Sequence, residues 1–443
     1  MDKQLINFIR EAGIVGAGGA GFPTHVKVNG KAEYIVVNGA ECEPLLRVDQ
    51  QLMTFKAAEV LEGLKAIVKE TGAQKGIIAL KKKYKLAIEA LGREIHPGDP
   101  IEIFELGDFY PAGDEQITVY EVLKRIVPEG GIPLQVGVIV TNVETLLNVS
   151  NAMKGIPVTH KYLTVTGAVR KPVTVKVPVG ISIREVIALA GGATVDRFKV
   201  IDGGPMMGKI VENIDKPITK TSKGIIVLPE EHSLIQGKVR SIEIMLRQAR
   251  TACCHCSLCT EVCPRNLLGH KLHPDKLMRI ASYNSTCEND VSVTEAFLCC
   301  ECGLCETACI MNLQPWKLNQ FLKGKLSSAG IKNPNNRQPV RTNEFRDYRK
   351  FPVKKLVARL GLDFYNVDAP LVESVNHEFL CVVLDRKQHI GVKTEPLVQA
   401  GDVVALGQAV ADVKEGQLGA KIHASIDGIV QRIDENVIEI CKR

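Results

Sequence analysis

The sequence predicts a multidomain chain of mixed α/β and α+β class, and three observations carry that prediction. Strand and helix patterns alternate through the first ~155 residues. Most of the fourteen cysteines crowd between Cys253 and Cys309, and the tail from Phe379 has all-β patterning with glycine-containing turns. A length of 443 residues suggests two to four domains rather than one.

Tyr34–Asn38 is a short apolar run of the kind a buried parallel strand needs. Asp49–Gly72 places Leu52, Phe55, Ala58, Val60, Leu61 and Leu64 at helical spacing. Gly76–Leu80 is strand-like, and a basic helix is expected from Lys81. Ile101–Leu106 and Leu134–Val140 are further strand candidates. This alternation predicts a Rossmann-like parallel sheet with helices on both faces. From Tyr162 the texture changes. Leu163, Val165 and Ala168 lead through Pro172 to Val173, Val175 and Val177, as in a hairpin. Ile183–Ala190 reads as a helix closed by Gly191-Gly192, and Val200–Ile201 and Ile225–Leu228 add strand, which together fit a β-grasp module. The next region is expected to be helical around the cysteines. Ile331–Lys355, with eight basic and two acidic residues and three prolines, reads as an extended linker with solvated charges. In the tail, Gly401-Asp402 and Gly407-Gln408 bracket Val403–Leu406, and Asp427-Gly428 precedes Ile429-Val430. The pattern resembles a biotinyl- or lipoyl-type barrel-sandwich. No lysine stands in the hairpin context those carriers modify, and Lys414 is a poor match, so a structural module is expected.

Composition narrows the functional classes. A net charge of +6 over 56 basic and 50 acidic residues suits an anionic small ligand. With 5% aromatics it does not argue for a nucleic-acid surface. No apolar run approaches the ~18–20 residues of a membrane span. Met1–Arg10 is short and carries Asp2, unlike a signal peptide. A cytoplasmic protein is expected, in which disulfides are not. Cys42, Cys287, Cys381 and Cys441 are accordingly read as ordinary thiols. Asp2–Arg10 has an amphipathic pattern, suited to packing on the first domain or to serving as a targeting helix.

Cys253, Cys256, Cys259 and Cys263 follow C-x2-C-x2-C-x3-C, with Pro264 next. Cys299, Cys302, Cys305 and Cys309 repeat the spacing, with Ile310 in the proline position. Three cysteines at two-residue gaps can wrap one corner of a cubane, and the fourth ligand of each cluster comes from the other motif in two-cluster ferredoxins. The expected sets are therefore Cys253, Cys256 and Cys259 with Cys309, and Cys299, Cys302 and Cys305 with Cys263. Zinc is the competing reading, but zinc usually pairs two separate C-x2-C knuckles around one ion. Cys254 and Cys300, each directly after the first cysteine of its motif, are read as non-ligands.

Gly16-Ala17-Gly18-Gly19-Ala20-Gly21-Phe22-Pro23-Thr24 precedes the first strand. Glycines let backbone amides approach a phosphate without obstruction by Cβ, and Lys27 could neutralise a phosphate charge. A dinucleotide fingerprint follows a strand and opens a helix; this loop comes before its strand, so it is not the ordinary dinucleotide turn.

Gly16 to Lys27, then Asn38-Gly39-Ala40-Glu41-Cys42-Glu43-Pro44, then Tyr110-Pro111-Ala112-Gly113-Asp114-Glu115, then Asn142-Val143-Glu144-Thr145, stand in order along the chain. This series resembles the FMN- and NADH-binding subunit of respiratory complex I and, more closely, the C subunit of the Rnf electron-transport complex. The resemblance implies an FMN site lined by Gly16, Gly18, Gly19, Gly21 and Lys27, with Asn38, Glu41, Tyr110, Gly113, Asn142 and Thr145 around the flavin. It implies Phe22, Glu43 and Glu115 on the nicotinamide side. Ala40, His25 and Asp114 depart from the complex I pattern.

In the Rnf C subunit the barrel-sandwich precedes the flavin domain, whereas here it follows the cysteines. That arrangement, with Leu163–Lys171, Gly203–Gly208 (GGPMMG), Cys263-Pro264-Arg265 and His423–Val430, resembles the PduS-like cobalamin reductases of bacterial microcompartments. GGPMMG is read either as a flavin or partner contact or as a turn. The implied domains are 1–157 (FMN/NADH-binding), 158–235 (SLBB β-grasp), 236–328 (two-[4Fe–4S], ferredoxin-like), 329–370 (linker) and 371–443 (barrel-sandwich hybrid). The implied activity passes electrons from NADH through FMN and two [4Fe–4S] clusters to cobalamin, free or on an adenosyltransferase partner, in the company of microcompartment shell or cargo proteins. An Rnf-like or amino-acid-reductase conduit with a protein acceptor is the alternative, and a metal-stabilised scaffold with a vestigial nucleotide site is the alternative of a different class.

Overall fold

The computed structural model describes residues 4–283, 287–288 and 291–443. Asp2 of the expected N-terminal helix and the Cys287 side chain lie outside the described residues.

The first unit is built on four parallel strands, Tyr34–Gly39, Lys75–Lys81, Ile101–Leu106 and Val138–Asn142. In space the first strand stands between the second and the last, with the third at the edge. Side-chain alternation divides the sheet between two cores. Ile35, Val37, Ile78, Leu80 and Ile139 pack with the helices Gln4–Glu11, Ala57–Thr71 and Val143–Met153. Val36, Ala79, Val138 and Val140 face the other way, toward Ile117 and Val119 of the helix Glu115–Leu123. The period-2 division is what a sheet covered on both faces requires.

Local differences from the expectation have local causes. The single helix expected over Asp49–Gly72 is two, Val48–Phe55 and Ala57–Thr71, because Lys56 between them leaves helical geometry (φ −128°, ψ 32°). The helix expected from Lys81 starts at Lys85, since Lys81 still pairs with Leu106 as strand. Leu134 falls in a 3-10 turn, Pro133–Val136, and the last strand begins only after Gly137.

The second unit is a six-stranded sheet with His160–Gly167, Val173–Pro178 and Gly224–Pro229 at its centre and the helix Ile183–Leu189 beside it. The tail forms two antiparallel sheets, one of four strands and one of three. Its core is continuous with that of the second unit: Val382, Leu384, Val410 and Ile440 join Leu163, Val175 and Val227 in one apolar cluster. These two modules therefore share a core.

Two expectations are corrected. Cys381 and Cys441 are not separate thiols. They face each other across the antiparallel strands Cys381–Asp385 and Val437–Cys441, with 4.1 Å between Cα atoms, and form a disulfide. The segment read as an extended linker is docked along its length. Gln338 donates to the Ile126 carbonyl, the Arg346 guanidinium pairs with buried Glu121, and Phe351-Pro352 pairs as strand with Phe109-Tyr110. A helix, Val353–Arg359, and a further strand, Leu371–Val372, follow. Arg337, Arg346 and Lys350 are spent on Glu129 and Glu121 of the first unit and Arg349 on Glu261, whereas Lys332, Arg341, Lys354 and Lys355 are exposed.

The N-terminal helix buries Leu5 and Ile9 in the first core. Among the described residues no helix is long and apolar enough to cross a membrane.

Candidate functional site

Ligands of open parallel sheets bind outside the carboxyl ends of the strands, where strand order reverses. Here that point lies between the first strand and the last, whose ends carry Asn38 and Asn142 in register. The glycine-rich loop closes over this point. Gly16 donates to the Phe22 carbonyl (2.9 Å), and Gly21 donates to the Gly16 carbonyl (3.1 Å), which folds the loop on itself. Gly18 rests on Asn142, since a Cβ built on Gly18 would lie 3.4 Å from the Asn142 side chain. Gly19 has φ +110° and open space where a Cβ would stand, so the crest of the loop is a cradle.

The loop is held from beneath by side chains. Ala17 donates to Thr145 Oγ1 (3.0 Å), and its carbonyl accepts from Lys161 Nζ (3.1 Å). Lys161 is paired with Glu144, and both side chains are 1% exposed. Asn142 caps the helix Val143–Met153 through its side-chain amide oxygen and donates to both Asp49 carboxylate oxygens, while buried Asp49 pairs with partly buried Lys223. Asn38 donates to the Gly113 carbonyl (2.7 Å) and accepts from Ala40 N (3.3 Å). Both asparagines therefore shape the pocket with their amides already engaged. One flank is closed by distant segments: Ile390 donates to the Gly21 carbonyl (2.9 Å), and Thr221 presses on Gly21. Lys161, Lys223, Thr221 and Ile390 had no signal in the sequence, because each acts from a separate module.

The acidic residues divide by role. Glu115 pairs with Lys27 across 3.0 Å at the rim, where both are accessible. Glu43 turns away to accept from Met206 N (2.9 Å) and Met207 N (3.0 Å), which makes GGPMMG a protein contact of the loop. Glu41, at φ +36°, accepts from Asp49 N and Gln50 N at the start of the helix Val48–Phe55. Burial, then the charge of Asp49, push its carboxyl up to about 7, against the pull of Lys223. Between the free-carboxyl range and that value the folded protein binds more protons than the unfolded chain, so stability falls as pH rises through the interval. Glu41→Gln keeps an acceptor for the shorter of these bonds, from Asp49 N, removes the titrating group and should flatten this slope, read as a smaller loss of melting temperature between about pH 5 and about pH 8 than in the parent.

The two cysteine motifs fold alike. His255 and Ser257 in the first, and Glu301 and Gly303 in the second, all take left-handed backbone, at φ +58°, +60°, +59° and +78°. For the three non-glycines that is strained, and successive turns of this kind aim backbone amides inward. Cys253, Cys256, Cys259 and Cys309 line one cavity, together with Cys254. Cys263 faces Cys299, and Cys305 faces Cys299, Cys263 and, across to the first set, Cys259. Cys253, Cys256, Cys259 and Cys309 thus share one cavity and Cys263 lies with Cys299 and Cys305, although among the described residues no three cysteine, histidine or carboxylate side chains are gathered closely enough to hold a metal ion as they stand. The donor chemistry fits four-iron clusters: soft thiolates, with amides of Glu301 on Cys299 Sγ and of Leu313 on Cys309 Sγ (each 3.4 Å). Burial pushes the Cys259 thiol up to about 12 and raises Cys263 and Cys305, while the hydrogen bond with Cys300, then burial, raises Cys302, so metal loading must displace these protons. Cys300 hydrogen-bonds Cys302, and Cys254 is exposed at the cavity rim.

The two halves of the site meet at one loop. Tyr110 donates to the Cys302 carbonyl (2.7 Å), and Asp114 receives both arms of Arg265 (2.8 Å each). Asp114 also caps the helix Glu115–Leu123.

Comparison with known proteins identifies four modules along the chain. The Nuo51 FMN-binding domain model matches residues 9–151, and the SLBB domain model matches 162–209. A 4Fe–4S dicluster domain matches 252–314, and the RnfC barrel sandwich hybrid domain matches 370–442. The chain is 45% identical over 98% of its length to the cobalamin reductase PduS of Salmonella typhimurium, covering 95% of that protein. It is 45% identical over its whole length to the cobalamin reductase PduS of Citrobacter freundii, covering 97% of it. It is 38% identical to the C subunit of the Na+-translocating ferredoxin:NAD+ oxidoreductase complex of Acetobacterium woodii, over 60% of this chain and 59% of that one.

Proposed function

Because the chain belongs to the family of PduS cobalamin reductases, we propose that it draws electrons from NADH and delivers them singly to the cobalt of cobalamin. FMN at the glycine-rich loop supplies the conversion of a two-electron hydride into single electrons, and two [4Fe–4S] clusters supply the conduit. One NADH yields two electrons and one proton, enough to take cob(III)alamin to cob(I)alamin or two cob(II)alamin to cob(I)alamin.

The chain's own residues bind and orient. Gly18, Gly19 and Ala20 present the backbone of the loop crest to the FMN phosphate, and Lys27 stands at the rim to neutralise it. Phe22 and Glu115 flank the open side, where nicotinamide would enter. Thr145, Asn142 and Asn38 keep the loop in shape. Cys263, Cys299, Cys302 and Cys305 hold the cluster nearest the flavin, because Tyr110 of the flavin-side loop donates to the Cys302 carbonyl and Asp114 of the same loop meets Arg265, two residues past Cys263. This contact is the observation that carries the reading. Cys253, Cys256, Cys259 and Cys309 hold the outer cluster, beside exposed Cys254, Ile310 and Met311, where the acceptor would approach. Electron steps need no proton donor, and none is assigned. We place the acceptor in a microcompartment, as cobalamin free or on an adenosyltransferase.

Anaerobically purified protein should carry about one FMN and about eight iron atoms per chain. NADH should bleach the flavin, and added cob(III)alamin should restore it. Bleaching without cobalamin turnover would replace cobalamin by a protein acceptor, and protein with neither flavin nor iron would overturn the proposal.

A further inference from the structure

Arg265 is placed by the cysteine motif itself. Cys263 is the N-cap residue of the short helix Pro264–Leu267, and Pro264 sets its first helical residue. The guanidinium therefore projects from a fixed point two residues past a ligand of the inner cysteine set. It meets Asp114 bidentately, at 2.8 Å on each arm, with the two side chains 10% and 14% exposed. Asp114 is itself fixed, since it accepts from Gln116 N and Ile117 N (3.1 Å each). Its loop has a second anchor on the same set, Tyr110 on the Cys302 carbonyl. The charges facing Arg265 are Asp114, Cys300 and Cys302.

We propose that Arg265 and Asp114 are a charge pair that sets the reduction potential of the inner cluster while fixing its distance from the flavin loop. This rests on the reading that Cys263, Cys299, Cys302 and Cys305 hold that cluster. A reduced cluster carries one more negative charge than the oxidised one, and the pair is too buried for solvent to screen it fully. Removing the guanidinium leaves the Asp114 carboxylate unpaired, disfavours the added electron and lowers the potential. Removing the carboxylate charge leaves the guanidinium unpaired and raises it. A merely structural link would give shifts of one sign, because either change breaks the same contact.

The test is a redox titration of the whole protein, followed by electron paramagnetic resonance, on the parent, Arg265→Gln, Asp114→Asn and the double variant. Asp114→Asn retains an acceptor for the helix cap and a cation by the cluster, so it reads the effect even where Arg265→Gln assembles poorly. The expected result is one reduction wave displaced downward in Arg265→Gln and upward in Asp114→Asn, back near the parent in the double variant, with the other wave unmoved. Shifts of the same sign in both single variants, or none, overturn the proposal while leaving the cluster assignment intact. A parent protein without two four-iron signals overturns the assignment itself.

Discussion

Cys263→Ala is expected to abolish NADH-driven cobalamin reduction while leaving reduction of the flavin by NADH intact. Iron should fall from about eight to about four atoms per chain. The reason is placement. Cys263 belongs by sequence to the first motif but faces Cys299 and Cys305 of the second. Losing it should remove the cluster beside Tyr110 and Asp114, which cuts the path at its first step. Cys309→Ala should also halve the iron, but it removes the outer cluster, lined by Cys253, Cys256 and Cys259. In that variant NADH should still reduce the remaining cluster, visible as a single electron paramagnetic resonance signal. If each motif held its own cluster, the outcomes would exchange: Cys263→Ala would keep a cluster reducible by NADH, and Cys309→Ala would lose it.

The contrast shows where the sequence was sufficient. Cysteine spacing is a covalent fact, and a cubane needs its ligands at that spacing, so the two cluster motifs could be read without a fold. The parallel strands were legible for a similar reason, because a strand buried on both faces must be apolar throughout. Glu115–Leu123 was not, as its β-branched Ile117, Thr118 and Val119 fall on no single helical stripe. The connections among modules were illegible as a class. Asp114 with Arg265 and Asp49 with Lys223 are set by how separate modules dock, and Cys381 with Cys441 by which strands of the tail pair, and no local periodicity encodes either. The basic segment after Ile331 was misread for that reason: its charge is ordinary for a solvated linker until Glu121 and Glu129 are seen to receive it. The same limit separates Glu41 and Glu43, which share one motif but reach different partners.

Lys161→Met should destabilise the protein by about 3–5 kcal/mol and empty the flavin site. Lys161 stands on the strand His160–Gly167 of the second unit, yet its ammonium lies under the glycine-rich loop of the first. It joins the Glu144 carboxylate to the Ala17 carbonyl, with neither side chain in contact with solvent. Methionine fills similar volume but supplies no donor. Glu144 would keep one amide, from Tyr162 (3.2 Å), and would otherwise be a buried charge without a partner. Burial already raises the Glu144 carboxyl above its usual range and Lys161 opposes that rise, so the variant should raise it further. The sign for pH follows. A carboxyl raised in the fold costs stability above its unfolded value, and the cost is relieved as pH falls below its folded value. The deficit of Lys161→Met should therefore shrink toward acid pH, and adding Glu144→Gln should recover most of it at neutral pH. Chemical denaturation would measure the stability, and FMN retained after gel filtration would measure the loop. A deficit below about 1 kcal/mol with flavin fully retained would show that Ala17 is held by Thr145 alone.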